Sequence, residues 1–196
     1  MNDWHTIVGV ISTVIFLSLI YPYIRSIIHG PTRPNIVSWA GWAFLFAIAT
    51  IAQFSKGVSW SLAVPLFSTL STSIIAVISI RRGYAHVTKM EIICIILGIA
   101  ALVAWQVTRE PLSAIIFSML ADFFVTVPTI VKTYRSPETE PALLWILYVF
   151  AAVLAIVANG TFTVYNLLFP LYTVLGSLII ALLALRDRIV QRQMPG

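Results

Sequence analysis

The 196-residue chain is 60% hydrophobic and only 10% charged, with a mean hydropathy of +0.97. Soluble domains carry about a quarter charged residues, so a water-soluble globular protein is excluded and an all-α integral membrane protein is expected. The net charge of +5 is what basic loops at a membrane surface produce, and no basic block interleaved with aromatics points to nucleic acid.

Seven stretches approach or reach the roughly 20 apolar residues needed to cross hydrocarbon, over 6–22, 36–54, 59–80, 90–107, 111–130, 142–158 and 163–185. They are continuously apolar, which argues against the alternating strands of a membrane β-barrel. The first is read as a retained span, because its flank carries Asp3 and His5 with no basic residue and no small-residue cleavage site follows. Span 2 opens near Trp39 and closes at Gln53. In span 3, Ser61, Pro65, Ser68, Thr72, Ala76 and Ser79 recur at helical spacing and form one small or polar stripe.

Span 4 holds the single cysteine, Cys94, which therefore has no intrachain disulfide partner. Near the middle of span 5 stands Asp122, the one acid assigned to a membrane interior, followed six residues later by Pro128. A charged carboxylate at that depth costs about 2.5–3.5 kcal/mol on insertion scales. It is either a neutral, hydrogen-bonded structural acid or a site for proton or cation coupling. Span 6 carries Trp145 near its start, and Asn159-Gly160-Thr161 at its end is read as a chance glycosylation match. Gln53 and Asn159 read as helix-end caps. Span 7 repeats the stripe of span 3 as Asn166, Pro170, Thr173, Ser177, Ala181 and Ala184. Such stripes serve close helix packing or line a path for a polar solute. Asn166, whose amide both donates and accepts, is the leading ligand candidate, with Ser68, Thr72, Thr173 and Ser177 beside it.

The chain is written twice. A shift of 106 residues lays Pro22, Ile24, Pro31, Trp39 and Phe44 onto Pro128, Ile130, Pro137, Trp145 and Phe150. A shift of 105 lays Pro65, Leu66, Ile75, Ala76 and Arg81 onto Pro170, Leu171, Ile180, Ala181 and Arg186. The expected architecture is a 3+1+3 parallel internal repeat, with repeat 1 over about 6–82, a linker helix over about 88–107 and repeat 2 over about 111–187. Asp122 falls on Phe16 and so breaks the symmetry. Ten basic residues fall on one side, from Arg25 and Arg33 through Arg186, Arg188 and Arg192, against Lys56 and Arg109 on the other. The N-terminus is therefore expected outside and the C-terminus in the cytoplasm, in the cell membrane. Pro22, Pro65, Pro128 and Pro170 form matched pairs that could act as hinges, although Pro22 and Pro128 could also simply end helices. Trp39 and Trp145 are mates, suited to an interfacial belt or to a paired inner gate.

Seven spans in this arrangement, Pro22-Tyr23 and Pro128-Thr129 near the inner ends of spans 1 and 5, and the basic-serine loop Lys132-Thr133-Tyr134-Arg135-Ser136 resemble the SWEET and PQ-loop superfamily of seven-helix membrane transporters. The resemblance covers nearly the whole chain. It implies alternating-access transport of a small polar solute across the lipid bilayer, or, as in a PQ-loop cargo receptor, the same bundle without flux. SWEET sugar carriers place asparagine after the prolines of spans 3 and 7. Leu66 and Leu171 stand there instead, which points away from a sugar.

Catalysis is not expected. His5, His29 and His86 are scattered rather than grouped as metal ligands, one intramembrane acid does not make an aspartyl dyad, span 7 has no retinal lysine, and no nucleotide fingerprint occurs. No cofactor is implied.

Overall fold

A computed structural model describes residues 3–54, 63–82, 84, 86–107, 110–160 and 162–193. Ser61, Lys56, Arg109 and Thr161 lie outside the described residues, as do the side chains of Arg188 and Arg192. The described chain is helical and contains no strand. Its elements are α1 (Asp3–Ser18), α2 (Ile20–His29), α3 (Ile36–Phe54), α4 (Ala63–Arg81), α5 (Lys89–Val107), α6 (Pro111–Arg135), a 3₁₀ turn (Pro137–Thr139), α7 (Ala142–Asn159) and α8 (Val164–Gln193). Seven segments are long and apolar enough to cross a membrane, with α1 and α2 together making the first. The protein is an integral membrane protein of seven helical spans.

Prolines act on these helices in different ways. Pro22 has no N–H to offer Ser18, and the first span breaks at Leu19 between α1 and α2. Pro128 and Pro170 sit inside α6 and α8, which run through them. Pro65 lies in the first turn of α4, where a missing N–H costs no ladder bond.

The chain forms two compact units, and they cut across the two sequence repeats. One contains Met1–Thr32 and Ile130–Gly196, the other Arg33–Thr129. In the first unit α1 packs on α7, and α7 on α8. The α1–α7 seam includes positions 5, 9, 12 and 16, the alternating three and four spacing of one helix face. His5 Nδ1 lies 3.3 Å from the Val157 carbonyl oxygen. Gly9 approaches Ala158, Ser12 Oγ donates to the Ala151 carbonyl at 2.8 Å, and Phe16 meets Tyr148 edge to face. Small residues at 9, 151 and 158 let the backbones close up, which is how apolar helices associate in lipid. Gly160 ends α7 at φ 68°, the left-handed conformation glycine adopts without strain.

In the second unit α3 packs on α4 and meets α5 and α6. The α3–α6 contact is built on Ser38 and Gly41. Ser38 Oγ, fully buried, donates to the Val125 carbonyl at 2.6 Å and accepts from the Thr129 N–H at 3.2 Å. One side chain of α3 thus bridges both ends of an i to i−4 step of α6, immediately beside Pro128. One turn further along α3, Gly41 lies so close to α6 that a Cβ there would fall 2.6 Å from a Val125 methyl.

Gly41→Ala therefore loses about 1–3 kcal/mol to overpacking, read as a lowered thermal unfolding midpoint in detergent. Gly176→Ala, where a Cβ meets nothing within 4 Å, leaves the midpoint unchanged.

Candidate functional site

Two buried carboxylates organise the basic ends of the units. Glu140 follows the 3₁₀ turn and its side chain is wholly buried. It forms an ion pair with Lys132 of α6. Tyr23 Oη of α2 donates to Oε2 at 3.0 Å, and Trp145 Nε1 of α7 donates to the same oxygen at 2.9 Å. A buried charge is tolerated when it is paired and hydrogen-bonded, and here three donors occupy the two oxygens. The arrangement clamps α2, α6 and α7 together and leaves little acceptor capacity for a ligand.

In the second unit Glu91 has the corresponding role, although it comes from α5. It completes a capping box with Thr88: the Thr88 N–H donates to Glu91 Oε2 at 2.6 Å, and the Glu91 N–H reaches Thr88 Oγ1 at 3.4 Å. Asn35 Nδ2 donates to the other Glu91 oxygen. Asn35 Oδ1 accepts the Ser38 N–H at 3.1 Å and so caps α3. Since Ser38 Oγ in turn engages α6, one chain of hydrogen bonds runs from the start of α5 through the start of α3 to Pro128.

The residues expected to bind solute divide between the units. Asp122 of α6 is half-buried and accepts from Thr126 Oγ1 at 3.3 Å. It lies one turn before Val125, on the side of α6 that meets α3. It is not the only acid within a membrane-length helix, because Glu91 lies in the first turn of α5. In α4, Ser68 and Thr72 are buried together. Thr69, Thr72 and Ser79 donate back to helix carbonyls four residues earlier, at 2.7–2.8 Å, and Ser71 to the Ser68 carbonyl at 3.0 Å. Ser68 differs: at 1% exposure its Oγ has no hydrogen-bond partner among the described residues. In the other unit, Thr173 Oγ1 donates to the Phe169 carbonyl at 3.0 Å, while Ser177 is half-buried on the same helix. Asn166 is half-buried in the first turn of α8, and its carbonyl lies 3.5 Å from Asn159 Nδ2.

Trp39 and Trp145, expected at an interfacial belt or a paired inner gate, are both buried. Of the residues that sequence reasoning passed over, Glu91 was readable, because Thr88-x-x-Glu91 ahead of an apolar run is a capping-box pattern. Glu140 gave no such signal: within Pro137-Glu138-Thr139-Glu140-Pro141 it looks like a loop acid, and its burial depends on contacts with Tyr23, distant in sequence.

A cavity of about 430 Å³ in the second unit is lined only by α3, α5 and α6 with Val87. No charged side chain lines it. Among the described residues, no three His, Cys, Asp or Glu side chains gather in a way that could hold a metal ion. No family model, curated protein or solved structure matches the chain.

Glu140→Leu removes the carboxylate that pairs with Lys132 and lowers stability by about 3–5 kcal/mol, whereas the double variant Glu140→Leu/Lys132→Met removes both charges and recovers most of it. Denaturant or thermal unfolding of the two variants in detergent measures the difference.

Proposed function

We propose that the protein is a membrane transporter of SWEET or PQ-loop type, carrying a small polar solute by alternating access, with the N-terminus outside and the C-terminus in the cytoplasm. The observation that carries this function is Ser68. In hydrocarbon a buried hydroxyl without a partner is costly, and the neighbouring hydroxyls of α4 escape that cost by bonding back to their own helix. A hydroxyl held in reserve at 1% exposure suits intermittent contact with a solute or its water. Thr173 is its repeat mate on α8, and Asn166 and Ser177 flank that position along the same stripe.

Asp122 fits the role of coupling group. Thr126 satisfies part of its hydrogen-bonding capacity, and its cost within the span is one that packing alone does not require. Pro128 is the leading hinge. The division between the two compact units falls just after the next residue, Thr129, inside the continuous α6. Pro22, at the break in the first span, is its mate. A proline-weakened helix at the crossing point is where rocking would concentrate. Trp39 and Trp145, both buried, are the inner gates in this reading.

Thermal stability of the purified protein against sugars, amino acids, nucleosides, vitamins and small cations, at two pH values, tests this. One chemical class is expected to raise the unfolding midpoint, and Ser68→Leu to abolish that shift along with flux of the same solute into liposomes. Asp122→Asn should remove the pH dependence of the flux. No shift from any class, together with unaltered behaviour of both variants, would make the protein a receptor or scaffold instead.

A further inference from the structure

We propose that the cavity of the second unit is a binding groove for one acyl chain of an anionic phospholipid, whose phosphate rests at the basic end against Arg33 and Lys89. This is independent of solute transport. The groove has a buried floor, with Ala121, Val37 and Cys94 at 1%, 7% and 6% exposure. Its rim is exposed, with Phe44 at 57% and Ile99 at 54%.

Along α3 the lining runs from Ile36 to Leu45, about 13 Å at 1.5 Å per residue. An apolar slot of about 430 Å³ suits a single hydrocarbon chain, and a transmembrane helix of a second copy is the competing occupant that the test separates from it. The floor is closed where a Cβ at Gly98 of α5 would lie 3.7 Å from the Ala121 carbonyl oxygen and where Gly41 meets Val125.

Charge supplies the rest. The groove begins at Ile36 and Val87, three residues after Arg33 and two before Lys89. Both cations are exposed. Arg33 lies over the Tyr84 ring, 5.9 Å from its centroid. Arg81 and Arg82 are exposed at the nearby end of α4. The acid in this region, Glu91, is buried and engaged by Asn35 and Thr88, so the exposed charge at the mouth is positive. Basic residues at the membrane surface attract anionic lipid, and here they stand at the headgroup end of an apolar slot.

The test uses the full chain purified in detergent, with native mass spectrometry and thermal unfolding after addition of phosphatidylglycerol, phosphatidylcholine or inorganic phosphate. Wild type is expected to retain one phosphatidylglycerol at least about tenfold better than phosphatidylcholine, as two surface cations allow, and to ignore inorganic phosphate. Ala40→Phe, which fills the groove from its exposed rim, should abolish retention with helix content unchanged. Arg33→Gln/Lys89→Gln should bind the two lipids alike, and it decides the matter alone if Ala40→Phe does not fold. Equal retention of both lipids by wild type, undiminished retention by Ala40→Phe, a phosphate shift as large as the lipid's, or a dimer that Ala40→Phe dissociates would each overturn the proposal.

Discussion

In a bilayer, every backbone N–H and C=O must find a partner inside the protein, and the second unit meets that demand at its weakest point with Ser38. A proline in the middle of a span disturbs the ladder around it. Ser38 Oγ, donating to Val125 and accepting from Thr129, ties α3 to α6 where α6 is most in need of outside partners. Lipid gives apolar helices no preference for one register over another, since leucine against leucine and leucine against acyl chain are nearly equivalent. Register must come from polar bonds and from glycines that permit close approach. Ser38 and Gly41 provide both on one face. In the first unit the same task falls to Ser12 bonding Ala151, with Gly9 against Ala158.

The two units share a plan and differ in chemistry. In each, a long buried seam ends at a carboxylate near the basic loops and at a buried tryptophan, Trp145 or Trp39. Tyr23 is long enough to reach Glu140 directly. Its repeat mate Thr129 is not comparably long, and there the chain of bonds passes through Ser38 and Asn35 to Glu91. The fourth span, which has no mate in the duplicated pattern, is therefore more than a connector: it delivers the carboxylate that the second unit's own loop, with Pro34 opposite Glu140, does not contain.

Much of the fold was legible because its signals are local. Continuous apolar runs mark the spans, and Pro22 marks the break at Leu19. The pairing of spans was not legible. The duplicated pattern does not say which spans pair: α1 packs on α7, and Ser38 of the first repeat bonds α6 of the second. A hydropathy pattern does not supply the answer, because the deciding features are single small or hydroxyl residues whose partners lie far away in sequence, as Ser12 and Ala151 or Gly9 and Ala158 do. The candidate site was legible in the same uneven way. The α4 stripe was visible as a stripe, but that Thr69, Ser71, Thr72 and Ser79 bond their own helix while Ser68 does not depends on rotamers and neighbours.

Polar groups thus fall into two populations with different consequences. Those at the basic ends, Glu140, Glu91, Asn35 and Tyr23, have their bonds filled and hold elements together. Removing Glu140 takes an acceptor from Tyr23, and removing Glu91 takes one from Asn35, so each network resists change within its own unit. Those along α4 mostly bond back into their own helix, and Thr69 Oγ1 also meets Thr50 Oγ1 of α3 at 3.0 Å. The hydrogen bonds at the basic ends thus join different elements, whereas the hydroxyls of α4 are satisfied largely within their own helix. Pro128 lies beside the Ser38 cross-link, so α3 holds α6 at the point where the ladder of α6 is interrupted.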